Sequence, residues 1–171
     1  MDLKKTIKQL LQHDENMKQK KFFTVSAQQP FSPKDATQRK KGWDSLCKAV
    51  SLPVEDSWIE GRGSQMNVVL LFSNGLRIED AGQRVSFGVE RQKSEVDTND
   101  PSVKTVIGCA ANHLCRLGFG TERVGSQRKP IISEIREGSA LMVNVFESAY
   151  KQAEQLVNAE KIEQLKKTKN R

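Results

Sequence analysis

The sequence predicts an α+β fold, a small antiparallel β-meander packed by three or more helices with a long helix at the C-terminal end. Three observations carry this. Residues 66–72 (MNVVLLF) form an unbroken apolar run, closed by the hairpin turn signal Ser73-Asn74-Gly75. Residues 84–90 alternate Val85, Phe87 and Val89 on one face with Arg84, Ser86 and Glu90 on the other. After residue 100, two stretches repeat apolar residues at helical spacing.

The chain divides on charge into a basic amphipathic arm (1–20), a single α+β domain (21–160) and a basic C-terminal tail (161–171). In the arm, Leu3, Ile7, Leu10 and Leu11 lie on one helix face and Lys4, Lys5 and Lys8 surround them. A helix this short is marginal alone in water, so its stripe is expected to dock on something, making these four residues the self-association candidates. Phe22-Phe23-Thr24-Val25 is aromatic and β-branched and predicts a strand. Ser32-Pro33 is the expected start of a helix reaching about Val50, with Trp43, Leu46, Cys47 and Val50 as its buried face. Residues 54–64 are expected to be a loop holding an exposed Trp58; Ile59-Glu60-Gly61-Arg62-Gly63-Ser64 within it has the form of a protease recognition site and is read as natural sequence.

Residues 76–78 are the return strand of the hairpin, and Asp80-Ala81-Gly82 turns the chain into residues 84–90. Residues 91–100 are a polar linker. Asp100-Pro101 provides an N-cap and a proline at the first helical position. Val103, Val106, Ile107, Ala110, Ala111, Leu114 and Leu117 follow, and Gly118 and Gly120 end the helix. A basic loop with Arg123, Arg128 and Lys129 leads to a last helix over about 139–167, long enough to project beyond the core.

Function is bounded by charge. The chain has 171 residues and a net charge of +7. Its cations cluster at Lys4, Lys5, Lys8, Lys18, Lys20 and Lys21, again at Lys34, Arg39, Lys40 and Lys41, and at Lys161, Lys166, Lys167, Lys169 and Arg171. Such a chain suits a polyanionic partner, either nucleic acid or nucleoprotein, or an anionic membrane surface. The binding candidates are Lys4, Lys5, Lys8, Lys18, Lys20, Lys21, Arg39, Lys40, Lys41, Arg123, Arg128 and Lys129. An odd count of three cysteines and no apolar run at the start point to free thiols in a reducing, cytoplasmic setting. No stretch approaches the roughly 18 apolar residues of a membrane span, so membrane contact is expected to be peripheral.

Catalytic constellations are not found. Cys109, His113 and Cys115 are the one Cys/His cluster; Cys109 and His113 share a helix face, but Cys115 points elsewhere and a fourth ligand is missing. They are read as buried helix residues, with no metal and no cofactor. The glycines from Gly118 to Gly125 follow a helix and lack the lysine and hydroxyl spacing of a phosphate loop. Trp43, Trp58, Phe22, Phe23 and Tyr150 are possible stacking platforms, though most are needed for a core. The expectation is a non-enzymatic protein. Its alternative is an RNA- or DNA-binding regulator of the nucleocapsid or silencing-suppressor kind.

One stretch adds a family. Lys21-Phe22-Phe23-Thr24-Val25, Pro30-Phe31, Asp35, Trp43-Asp44 and Val68-Val69-Leu70-Leu71-Phe72-Ser73 together resemble the central part of rhabdovirus matrix proteins. There, too, a KFFFTV-like strand precedes a proline-phenylalanine turn, a helix and an apolar strand ending on serines. The likeness covers residues 21–73 and omits the family's proline-rich budding motif. It implies a viral structural protein that self-associates into homo-oligomers, condenses nucleoprotein and touches the inner face of a membrane, in host cytoplasm or virion.

Overall fold

The computed structural model describes residues 2–7, 21–27, 35–62, 65–89 and 99–169. Residues 3–7 are helical. From there the order is β1 (Phe22–Ser26), α1 (Ala36–Ala49), β2 (Val54–Arg62), β3 (Gln65–Phe72), β4 (Leu76–Asp80), β5 (Arg84–Val89), α2 (Pro101–Leu117), β6 (Thr121–Val124), β7 (Gln127–Pro130), β8 (Ile132–Ser133) and α3 (Ala140–Lys169).

Six strands pair antiparallel in the order β2-β3-β4-β5-β1-β8, while β6 and β7 form a separate hairpin. The β3–β4–β5 meander is therefore the centre of a wider sheet, and β1 closes onto β5 with Phe23 opposite Phe87. Strand alternation sends Phe23, Val25, Leu70, Phe72, Leu76, Ile78, Val85 and Phe87 to one face, where all are buried. The helices cover that face. Phe146 of α3 lies over the stacked Phe23–Phe87 pair, with ring centroids 5.6 and 5.3 Å away. The helix α2 packs along α3 and buries Val103, Val106, Ile107, Ala110, Ala111 and Leu114. Against β2 and β3 lies α1. The other face carries the row Trp58, Val69, Glu79, Ser86, Thr24 and Ser133.

Local chemistry fixes the ends. Asp100 caps α2 by accepting from the Ser102 amide at 2.9 Å, Pro101 follows, and Gly118 closes the helix at φ 98°. Asn74 accepts from the Leu76 amide at 3.0 Å inside the β3–β4 turn. Three expectations need correction and one lies partly outside the described residues. Val50, expected on the buried face of α1, is instead its exposed C-cap, where the helix has already ended. The N-cap of α1 is Asp35, whose carboxylate accepts from the Thr37 amide at 2.9 Å; Ser32 and Pro33 are not among the described residues.

Residues 54–62 are an edge strand, not a loop. Its apolar pattern is broken by Glu55 and Asp56, because a register shift between Val54 and Asp56 inserts an extra residue. Pairing with β3, rather than hydrophobic alternation, makes this strand, and its charged residues suit an exposed edge.

The basic segment 121–130 is likewise a hairpin. Thr121 and Pro130 are buried at its base and Gly125 turns it at φ 62°.

The helix α3 spans 30 residues, about 45 Å at 1.5 Å per residue. Its N-terminal half buries Met142, Phe146, Tyr150 and Ala153. From residue 158 to 168 every described position is exposed, so the helix leaves the core as expected.

Candidate nucleic-acid interface

The candidate cations fall into two environments. The first is closed. Arg39, on the inner side of α1, is 6 % exposed and stands 3.4 Å from Asp80, while its guanidinium donates to the Met66 carbonyl at 2.6 Å. Asp80 is fully buried at the end of β4. It accepts from the Trp43 indole at 2.7 Å and from the Gly82 amide at 2.8 Å. Burial pushes the Asp80 carboxyl above its ordinary range, opposed by Trp43, Gly82 and Arg39. Arg39 therefore ties α1 to the sheet, and its place among the polyanion-binding residues is withdrawn. A charge count could not separate it from its neighbours on α1, where Lys40 is half-buried and pairs with Asp44 at 2.7 Å and Lys41 is exposed.

The second environment is open. Four residues per strand pair in the β6–β7 hairpin, and the register sets Arg123 directly opposite Arg128. Like charges facing each other across a ladder oppose strand pairing. Each guanidinium is held by a local acceptor: Arg123 donates to the Gly125 carbonyl and Arg128 to the Thr121 hydroxyl, both at 3.2 Å. Arg123 and Arg128 are exposed, and Lys129 reaches Glu147 of α3 at 4.0 Å. Between hairpin and helix runs a groove of about 650 Å³. Arg128, Lys129 and Lys151 supply its cations, Glu147 and Glu154 its carboxylates, and Gln127 of β7 with Asn144, Ser148, Gln155 and Asn158 of α3 its neutral polar groups.

Elsewhere, Lys4, Lys5, Leu3 and Ile7 are exposed, as a docking arm requires. Lys8, Lys18, Lys20, Leu10 and Leu11 lie outside the described residues. Lys21 is half-buried and lays its alkyl stem across Gly138. Thus the structure brings together Arg123, Arg128 and Lys129 and removes Arg39 from the surface.

No protein-family model matches the chain, and no curated protein or solved structure matches it either.

The Cys/His cluster is dispersed through helix packing. The His113 ring lies 4.5 Å from Trp43, and burial lowers its pKa. Burial likewise raises the Cys109 and Cys115 thiols, and pushes Cys47 up to about 11 with help from Asp44. These are poor nucleophiles at neutral pH. Among the described residues no group of three or more His, Cys, Asp or Glu side chains is placed to hold a metal. Tyr150 donates to the Phe119 carbonyl beneath the hairpin, and burial raises its pKa. The aromatic platforms are also taken: Phe23, Trp43 and Tyr150 are buried, while Arg77 sits 5.7 Å from the Trp58 ring and Arg136 5.4 Å from the Phe22 ring on the outer sheet face.

In the sequence the groove residues of α3 are overshadowed by the stronger apolar stripe of the same helix. The signal was present: Asn144, Ser148, Lys151, Gln155 and Asn158 step by four and three residues, which places them on one helix face.

Proposed function

We propose that this chain is a non-enzymatic, self-associating structural protein that binds nucleic acid or nucleoprotein through exposed cations. The observation that carries the reading is the Arg123–Arg128 pair. Two guanidinium groups set opposite each other on an exposed hairpin cost repulsion when empty, and a phosphate backbone relieves it. The exposed Lys161, Lys166 and Lys167 on the projecting end of α3 extend the same basic character. Self-association is assigned to the exposed apolar residues at the chain's extremities, Leu3 and Ile7 in the arm and Ile162 and Leu165 on α3. The matrix-protein likeness of residues 21–73 points to the same class. A regulator that reads RNA on its sheet is disfavoured, because arginines occupy the faces of Phe22 and Trp58.

Sedimentation velocity at several protein and salt concentrations tests this, with and without single-stranded RNA and with phosphatidylserine vesicles. The expected result is concentration-dependent assembly, and co-sedimentation with RNA that weakens as salt rises. A monomer at all concentrations removes the structural role. Co-sedimentation with vesicles and not with RNA replaces nucleic acid by membrane.

A further inference from the structure

The groove between β7 and α3 has a chemistry that charge neutralisation alone does not need. A surface built only to hold phosphates needs cations, yet here they share the lining with four amide side chains, a hydroxyl and two carboxylates. Asn144, Ser148, Gln155 and Asn158 are exposed on one face of α3, while the opposite side of the same helix buries Met142, Phe146, Tyr150 and Ala153. From Asn144 to Asn158 the face runs about four turns, about 21 Å along the helix.

Amides bind base edges with a donor and an acceptor together, carboxylates accept from exocyclic amino groups, and arginine takes guanine edges or stacks on a base plane. These groups match the exposed edges of unpaired bases. They do not match an RNA duplex, whose deep, narrow major groove keeps side chains from the base edges and whose shallow minor groove is recognised mostly through 2′-hydroxyls and phosphates. The rim differs from the floor. Arg128 and Lys129 stand on the hairpin, and Arg123 lies across the ladder from Arg128, where a backbone can pass.

We infer that the groove between the β6–β7 hairpin and α3 takes a single strand of nucleic acid, with phosphates on the hairpin arginines and base edges on the amides of α3. The inference rests on the polyanion-binding function proposed above and gives it a strand preference. Lys151, between Ser148 and Gln155 on the helix face, supplies charge within the floor.

The test is fluorescence anisotropy of the full chain with labelled single-stranded RNA homopolymers of about 12 nucleotides, within the usual range of single-strand sites, and with an RNA duplex of the same length. Each is titrated at several salt concentrations. Single strands are expected to bind about tenfold tighter than the duplex, the discrimination of one good base-edge contact. The variant carrying Asn144→Ala, Gln155→Ala and Asn158→Ala should lose that preference and keep the salt dependence. All three side chains are exposed on a helix, so the variant is expected to fold; single replacements provide the same readout if it does not. Equal affinity for strand and duplex, or a triple variant that keeps the preference, overturns the inference and leaves charge-driven binding standing. No salt-dependent binding to either RNA overturns both.

Discussion

Arg39 and Arg128 are the same residue type in one basic chain, and they stand in opposite situations. Around Arg39 the molecule is closed: the guanidinium meets a backbone carbonyl and a fully buried Asp80, whose carboxylate also accepts from the Trp43 indole. Around Arg128 it is open. The side chain has one hydroxyl acceptor, a second arginine opposite it and a groove beside it. The difference teaches that net charge measures no single property. Part of it ties helix to sheet, and only the remainder can meet a partner.

The largest effect should come from breaking the closed region. Asp80→Ala leaves the Arg39 charge and the Trp43 indole without their carboxylate, and should cost about 3–5 kcal/mol in urea denaturation. RNA affinity per folded molecule should stay the same. If affinity falls while stability holds, the two regions are not separate. A smaller loss is expected at the sheet. A Cβ on Gly88 would stand 2.8 Å from the Phe22 Cβ, so Gly88→Ala should cost about 1–3 kcal/mol of overpacking, again read by urea denaturation.

The closed region also carries a pH signature. Burial lowers the His113 pKa, so the unfolded chain takes up the proton first. This contribution is complete above the ordinary histidine value of about 6.5 and is lost as pH falls from there through the lowered value. Thermal melting between neutral and mildly acidic pH should therefore show a decline that His113→Gln reduces. An unchanged decline in the variant would assign it to other groups.

Much of the fold was legible in the sequence because its signals are local. The Asn74-Gly75 turn, the Asp100-Pro101 start of α2 and the alternation through Val85 and Phe87 need only neighbouring residues to act. What escaped depended on distant partners. Strand β2 is made by its ladder to β3, and the 121–130 hairpin by pairing of two polar segments, so neither shows an apolar period. The candidate site was legible to the same degree. Arg123, Arg128 and Lys129 were evident as a basic cluster, whereas the burial of Arg39 depends on Asp80, far away in sequence, and the groove depends on which face of α3 the core leaves exposed.

A smaller effect on stability, and a sharper one on assembly, is expected at the arm. Leu3 is 74 % exposed and Ile7 49 %, so deletion of residues 1–20 should leave the melting temperature of the domain nearly unchanged and weaken self-association in sedimentation. A deletion that unfolds the domain would show that the arm belongs to the core.

The central claim is that the open cations, and not the closed ones, meet a polyanion. It is tested most directly by the slope of log affinity for RNA against log salt, measured for the native chain and for Arg123→Ala with Arg128→Ala. Counterion release predicts a steep negative slope for the native chain, and a slope reduced by about one for each phosphate contact removed, with the melting temperature unchanged. A native slope near zero, or an identical slope in the variant, would contradict the account.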